Sequence, residues 1–293
     1  MAPFRGFVTR EPGQGGIQNA SEAESGNRKK IERGTFMPLT AEGAEVFLAT
    51  VPLRKIRAAE LLEKHILGMF LLNYAPGPCM RERDLEIYCP SQCLLDAIDD
   101  IENFYKDLTA LSYARNMVEQ ILIHCISEER DIFEEKCDQC YPSSESRDLN
   151  QWPLRMFQDM ELGLVMRWRE ESLILNGVAD FTLAVGGLDG PSSHPVVVEV
   201  TDREEQFDET YPPGNLLAIV RLDRKLKGYP PITVHGILTD GNQFAFSRLE
   251  SDRTISRTVY CWDGAPVERA SILTSIRDII RDVVNGTISN DAQ

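Results

Sequence analysis

Through the first half of the chain, large apolar residues recur three and four positions apart, the repeat of a helix with one buried face. Between Leu53 and Tyr74 they are Ile56, Ala59, Leu61, Leu62, Ile66, Leu67, Phe70 and Leu71. Between Ser91 and Leu108 they are Leu94, Leu95, Ile98, Ile101 and Phe104, with Ser91 placed to cap the helix N-terminus. Leu111 to Ile126 continues with Ala114, Met117, Val118, Ile121 and Leu122. The spacing predicts an α-helical region over 37–141, either a bundle or a layer lying against the second half of the chain. Residues 1–36 are rich in Gly, Ser, Asn, Glu and Arg and poor in large apolar side chains, so a disordered tail is expected there.

Pro142, Ser143, Ser144, Ser146 and Asn150 interrupt the pattern, and a linker is expected over 142–152. Beyond it the period changes. Pro153 to Arg169 carries Leu154, Phe157, Met160, Leu164 and Trp168 at helical spacing. Ser172–Leu175 and Val178–Val185 read as strands joined at Asn176-Gly177, a hairpin dipeptide, and 186–195 as a loop. Val196–Val200 is a short, almost wholly apolar strand of the kind buried on both faces. Asn215–Lys227 reads as a helix ended by Pro230-Pro231. Ile232–Leu238 and Gln243–Leu249 read as strands around Thr239-Asp240-Gly241-Asn242, Thr254–Trp262 as a further strand, and Val267–Val284 as a closing helix. The expected fold class is α/β: a mixed sheet flanked by helices over 153–285, preceded by the helical region and followed by a short tail, 286–293.

Composition narrows the function classes. Hydrophobic residues are 42% and charged residues 26% of the 293, an ordinary globular balance. With 46 acidic residues against 31 Lys and Arg, the formal charge is -15, which excludes a general polyanion coat. The helical region carries much of that excess, with 19 acids and 10 bases over 37–141. The longest uncharged apolar stretch, Ile66 to Met80, is broken by Asn73, Pro76, Gly77 and Pro78 and is too short to span a bilayer. Met1 to Gln14 lacks a secretory apolar core, and the odd count of seven cysteines makes no disulfide framework. The expectation is an intracellular protein, cytoplasmic or nuclear, without membrane contact.

One carboxylate stands out for chemistry. Glu199 interrupts the apolar run Val196–Val200, and burying an ionised carboxylate is costly without a partner or a cation. Asp180, just after Gly177 on the preceding strand, is the second. If the two strands adjoin, both carboxylates converge at one end of the sheet, a donor set that suits Mg²⁺. Other readings stand beside these: Asp180 as a turn residue bonding its own backbone, and Glu199 as an edge charge that discourages sheet pairing.

Gly177-Val178-Ala179-Asp180-Phe181, a variable loop, and Val197-Val198-Glu199-Val200-Thr201 together resemble the PD-(D/E)XK nuclease superfamily, the restriction-endonuclease-like fold. The hairpin His235-Gly236-Ile237-Leu238-Thr239-Asp240-Gly241, with Phe244 and Phe246 behind it, is similar to fungal and crinkler-type members. The resemblance implies a metal-dependent nuclease acting on DNA or RNA. Asp180, Glu199 and the backbone carbonyl of Val200 would be ligands of Mg²⁺ or Mn²⁺, and Glu161 an auxiliary acid on the preceding helix. The position of the family's lysine is Thr201, whose hydroxyl can place a water but supplies no cation. The resemblance then looks to the next helix, where Arg221, Arg224, Lys225 and Lys227 form the expected nucleic-acid contact and Lys225 is the expected replacement.

A second reading accompanies the first. Residues 171–209 hold nine acids and one base, Arg203, an edge that repels phosphate. With Thr201 in the lysine position, the alternative is a catalytically inactive interaction or scaffold protein whose acidic helical region binds a protein partner. Tyr211, Phe244, Phe246 and Trp262 read as core aromatics. Cys137-Asp138-Gln139-Cys140, with Cys89 and Cys93, lacks the two tight knuckles of a zinc site. His65, His124, His194 and His235 show no ligand spacing.

Overall fold

A computed structural model of the chain describes residues 36–38, 54–57, 70, 72–75, 88–104, 109–140, 152–168, 171–185, 193–202, 214–226, 228 and 232–291. Of the expected tail over 1–36 and linker over 142–152, residues 1–35 and 142–151 lie outside the described residues, as do Lys227 and Tyr211, while Phe36 opens a strand. The strands are β1 (Phe36–Pro38), β2 (Arg54–Arg57), β3 (Asn73–Tyr74), β4 (Leu154–Trp168), β5 (Glu171–Val185), β6 (Ser193–Val200), β7 (Val234–Thr239), β8 (Gln243–Leu249) and β9 (Thr254–Cys261). The helices are α1 (Gln92–Phe104), α2 (Ala110–Cys140), α3 (Gly214–Leu226) and α4 (Pro266–Asp291). All described strands join one mixed α/β sheet in the order β1-β4-β5-β6-β7-β8-β9-β3, with β2 pairing β5.

The local signals act as elementary chemistry dictates. The Ser91 hydroxyl accepts from the Leu94 amide at 3.2 Å and so caps α1. Asp240 accepts from the amides of Asn242 (2.8 Å) and Gln243 (2.6 Å), and Gly241 takes a φ of 91° between β7 and β8. β6 and β7 run parallel, and α3 makes the crossover between them.

Four expectations are corrected. Pro153–Arg169 is not a helix but the strand β4, because it forms a long antiparallel ladder with β5. Asn176-Gly177 is no turn: both residues lie inside β5, opposite Gly163 and Leu162. Within the stretch expected as a helix from Leu53 to Tyr74, Arg54–Arg57 is the strand β2, parallel to β5, and Asn73–Tyr74 is β3. The closing helix also runs on to Asp291, through most of the stretch expected as a tail.

Two apolar layers sandwich the sheet. On one face Leu94 and Ile98 of α1, Met117, Ile121 and Leu122 of α2, and Ile272, Ile276 and Ile280 of α4 pack on Phe181, Leu183, Val196, Val198, Ile237 and Phe246. On the other, Leu216, Leu217 and Val220 of α3 pack on Leu164, Leu175, Val197 and Val234. The helical stretch and the sheet thus share one core. Phe244 and Trp262 lie in it, as expected of core aromatics. The long β4–β5 hairpin serves both layers. Leu162, Leu164, Met166, Leu173, Leu175 and Ala179 face the α3 side, while Leu154, Phe181, Leu183 and Val185 face the α2 side. The hairpin changes faces at Asp159 and Asp180, and Asp159 has a left-handed φ of 50° there.

Charge is buried between α2 and α4. Glu129 accepts from Arg277 Nε and from Arg281 Nε at 2.7 Å, while Arg277 also meets Glu128 at 2.8 Å. Glu128 in turn meets His124 at 3.1 Å, and the Arg277 guanidinium lies 3.3 Å from the Tyr88 ring centre. A carboxylate between two guanidiniums meets the condition for burying charge that a lone Glu129 would not.

Candidate metal centre

The site begins with a break in strand pairing. One edge of β5 pairs with β2 up to Asn176 and with β6 from Phe181 onward, and among the described residues 177–180 pair with neither. Antiparallel register carried one step past Phe181–Val198 sets Asp180 opposite Glu199. In place of a backbone partner, the Val200 amide donates to Asp180 Oδ2 at 2.7 Å. The N–H and C=O of one strand residue point to the same edge. The Val200 carbonyl therefore faces this opening, whereas the Thr201 amide donates to the Thr239 carbonyl at 2.8 Å on the other edge.

Asp180 holds two further relations. Arg115 of α2 donates through Nη1 to Asp180 Oδ1 at 3.1 Å and through Nη2 to Asp159 Oδ1 at 2.7 Å. The same guanidinium lies 5.4 Å from the Phe181 ring centre. Burial pushes the Asp180 carboxyl above the usual aspartate range, against the Val200 hydrogen bond and the Arg115 charge, and Asp159 adds to the rise. Glu199 is shifted further, to about 8, by burial first and then by the neighbouring Asp180 charge. The two carboxylates are therefore within electrostatic reach. Asp180 keeps 24% of its side chain exposed and Arg115 keeps 31%, so the opening reaches solvent.

The remaining expected residues are distributed differently. Thr201 is buried two positions beyond Glu199, on the same strand face by alternation. Glu161 is not on a helix; it is exposed on β4 opposite Val178. Arg221 donates to the carbonyls of Glu250 (2.8 Å) and Ser251, just past Leu249, which pairs with Val234 at the start of β7. Glu199 pairs with Leu238, four residues further along β7 and about 13 Å away. Lys225, one helical turn beyond Arg221 and exposed, lies toward that far end. The structure therefore does not bring it to the acids. Arg224 is buried, so among the described residues it does not join Arg221 and Lys225 in an exposed basic face.

The cation beside the acids is Arg115, which the sequence did not single out. Its signal was faint, one of ten bases among 19 acids over 37–141. Among the described residues no group of three or more His, Cys, Asp or Glu side chains forms a metal site. Two carboxylates and a backbone carbonyl are nonetheless a hard-oxygen donor set that fits Mg²⁺ or Mn²⁺, with water completing the shell. Among the described residues no helix is long and apolar enough to cross a membrane. No model of a known protein family and no curated protein matches the chain.

Proposed function

We propose that the chain is a metal-dependent phosphodiesterase of the nuclease kind, acting on DNA or RNA through Asp180, Glu199 and the Val200 carbonyl. The observation that carries this reading is the convergence of Asp180 and Glu199 at the unpaired edge between β5 and β6. There the Glu199 carboxyl, drawn largely out of water and set beside the Asp180 charge, keeps its proton to about pH 8. A divalent cation held by Asp180, Glu199 and the Val200 carbonyl would supply a countercharge there and Lewis-acid chemistry toward a phosphoryl oxygen and water. The chain's own contribution is to fix the donors. The Val200 amide holds one Asp180 oxygen, and the strand geometry turns the Val200 carbonyl into the same opening. Thr201, on the Glu199 face, supplies a hydroxyl where the resembling family has a lysine.

The test is incubation of purified protein with single-stranded DNA, duplex DNA and RNA in Mg²⁺ or Mn²⁺, beside Asp180→Asn and Glu199→Gln. Cleavage in the wild type that both substitutions abolish supports the reading, and cleavage that survives both eliminates it. One observation favours the scaffold alternative. Asp180 already has Arg115 and the Val200 amide, and a protonated Glu199 needs no ion, so the opening is balanced without metal. On that reading the exposed acids Asp96, Asp99, Asp100 and Glu102 of α1, with Asp131, Glu134 and Glu135 of α2, form the docking face for a basic protein partner. Magnesium that changes neither thermal stability nor nucleic-acid affinity decides for it.

A further inference from the structure

The position of Arg115 is over-determined. Its guanidinium bridges Asp180 and Asp159, and one helical turn along α2 Glu119 accepts from Gln158 at 2.5 Å. Arg115 and Glu119 thus grip consecutive β4 residues at the point where the hairpin changes faces. Asp159 is held there in a left-handed conformation that aspartate adopts at a cost. Local strain in β4, a helix docked by two side chains and a cation lying on a proposed metal ligand meet at one spot.

We propose that Arg115 is a tethered cation that occupies the charge position of the Asp180–Glu199 site until a divalent ion displaces it, with Asp159 as the anchor that holds it there. This inference rests on the metal reading of that site and adds its regulation. A guanidinium 3.1 Å from Asp180 Oδ1 competes with an incoming cation both for the oxygen and through like-charge repulsion. Because the anchor lies on β4 and the cation on α2, anything that shifts α2 against the hairpin opens or closes the site. The device is a contact between elements rather than a property of the two acids.

Asp159→Asn is the decisive variant, because two physical accounts predict opposite signs. If Asp159 acts only through its field, removing a negative charge weakens cation binding. If it holds Arg115 over Asp180, its loss frees the guanidinium and binding tightens. Asparagine adopts the left-handed conformation at least as readily as aspartate, so the backbone is preserved. The readout is Mn²⁺ binding by the full chain, with free Mn²⁺ counted by electron paramagnetic resonance, for wild type, Asp159→Asn and Arg115→Gln. The expected result is binding about threefold tighter for Asp159→Asn and about tenfold tighter for Arg115→Gln. Mn²⁺ bound by wild type with unchanged or weaker affinity in Asp159→Asn overturns the tether and leaves the metal site standing. No Mn²⁺ bound by any of the three at millimolar concentration removes the metal reading, and the tether with it. Should Arg115→Gln fail to fold by circular dichroism, Asp159→Asn decides alone on the same criterion.

Discussion

Replacing Glu199 by glutamine removes a titrating acid while keeping its shape, and the structure fixes the sign of the effect. In the unfolded chain Glu199 ionises near its ordinary 4.5, whereas the folded protein holds its proton to about 8. Between those values the native state binds the extra proton, so this contribution to stability is complete below 4.5 and disappears as pH rises through 8. At 1.36 kcal/mol for each tenfold change in proton affinity, the full difference is about 5 kcal/mol. Glu199 keeps part of its surface in water, and relaxation around a charged carboxylate reduces the figure to about 2–3 kcal/mol. Glutamine has no such slope. Urea unfolding of wild type and Glu199→Gln at about pH 5 and about pH 9 measures the difference, and comparing the two proteins cancels every other titrating group. The wild type should lose about 2–3 kcal/mol relative to the variant across that interval. Added Mg²⁺ should restore most of the loss at the higher pH in wild type alone. Parallel stability curves would show that Glu199 titrates alike in the folded and unfolded chain and would refute its raised proton affinity beside Asp180.

Further consequences can be checked independently. His235 is enclosed next to Arg248, and burial, reinforced by that charge, pushes its imidazole down to about 3. Its ring resonances should therefore show no titration between about pH 7.5 and about pH 4.5, and a midpoint near the ordinary histidine value of about 6.5 would contradict this burial. Gly241→Ala puts a Cβ 3.0 Å from the Ala114 Cα at a φ of 91°, and a loss of about 2 kcal/mol in chemical denaturation is expected. Glu129→Ala removes the carboxylate that accepts from both Arg277 and Arg281 between α2 and α4. It should cost about 3 kcal/mol, and a loss below about 1 kcal/mol would show that the clamp contributes little to stability.

The legible parts of the chain were those where local pattern and tertiary environment agree. β6 through β9 alternate or run apolar between turn residues, and Asp240-Gly241 marks its turn by chemistry that works within four residues. β4 defeated the pattern because Leu154, Phe157, Met160, Leu164 and Trp168 fit a helical repeat as well as a strand, and the strand divides its side chains between two layers. A strand that changes its buried face part-way has no single phase to detect. Asn176-Gly177 misled for a related reason, since β5 continues through it while exchanging one neighbouring strand for another. At the site, Glu199 declared itself as the one acid in an apolar run. Arg115 could not, because its relation to Asp180 and Asp159 spans 65 and 44 residues and depends wholly on how α2 docks.

The shared core also orders events during synthesis. The Met117, Ile121, Leu122 and Cys125 face of α2 leaves the ribosome well before the sheet residues it covers, and before α4, which closes over it last. The segment that becomes a helix about 45 Å long thus passes through translation with its apolar side chains uncovered. Such a nascent chain is a substrate for holding chaperones until the final helix emerges, and a fragment cut before Pro266 should precipitate rather than fold.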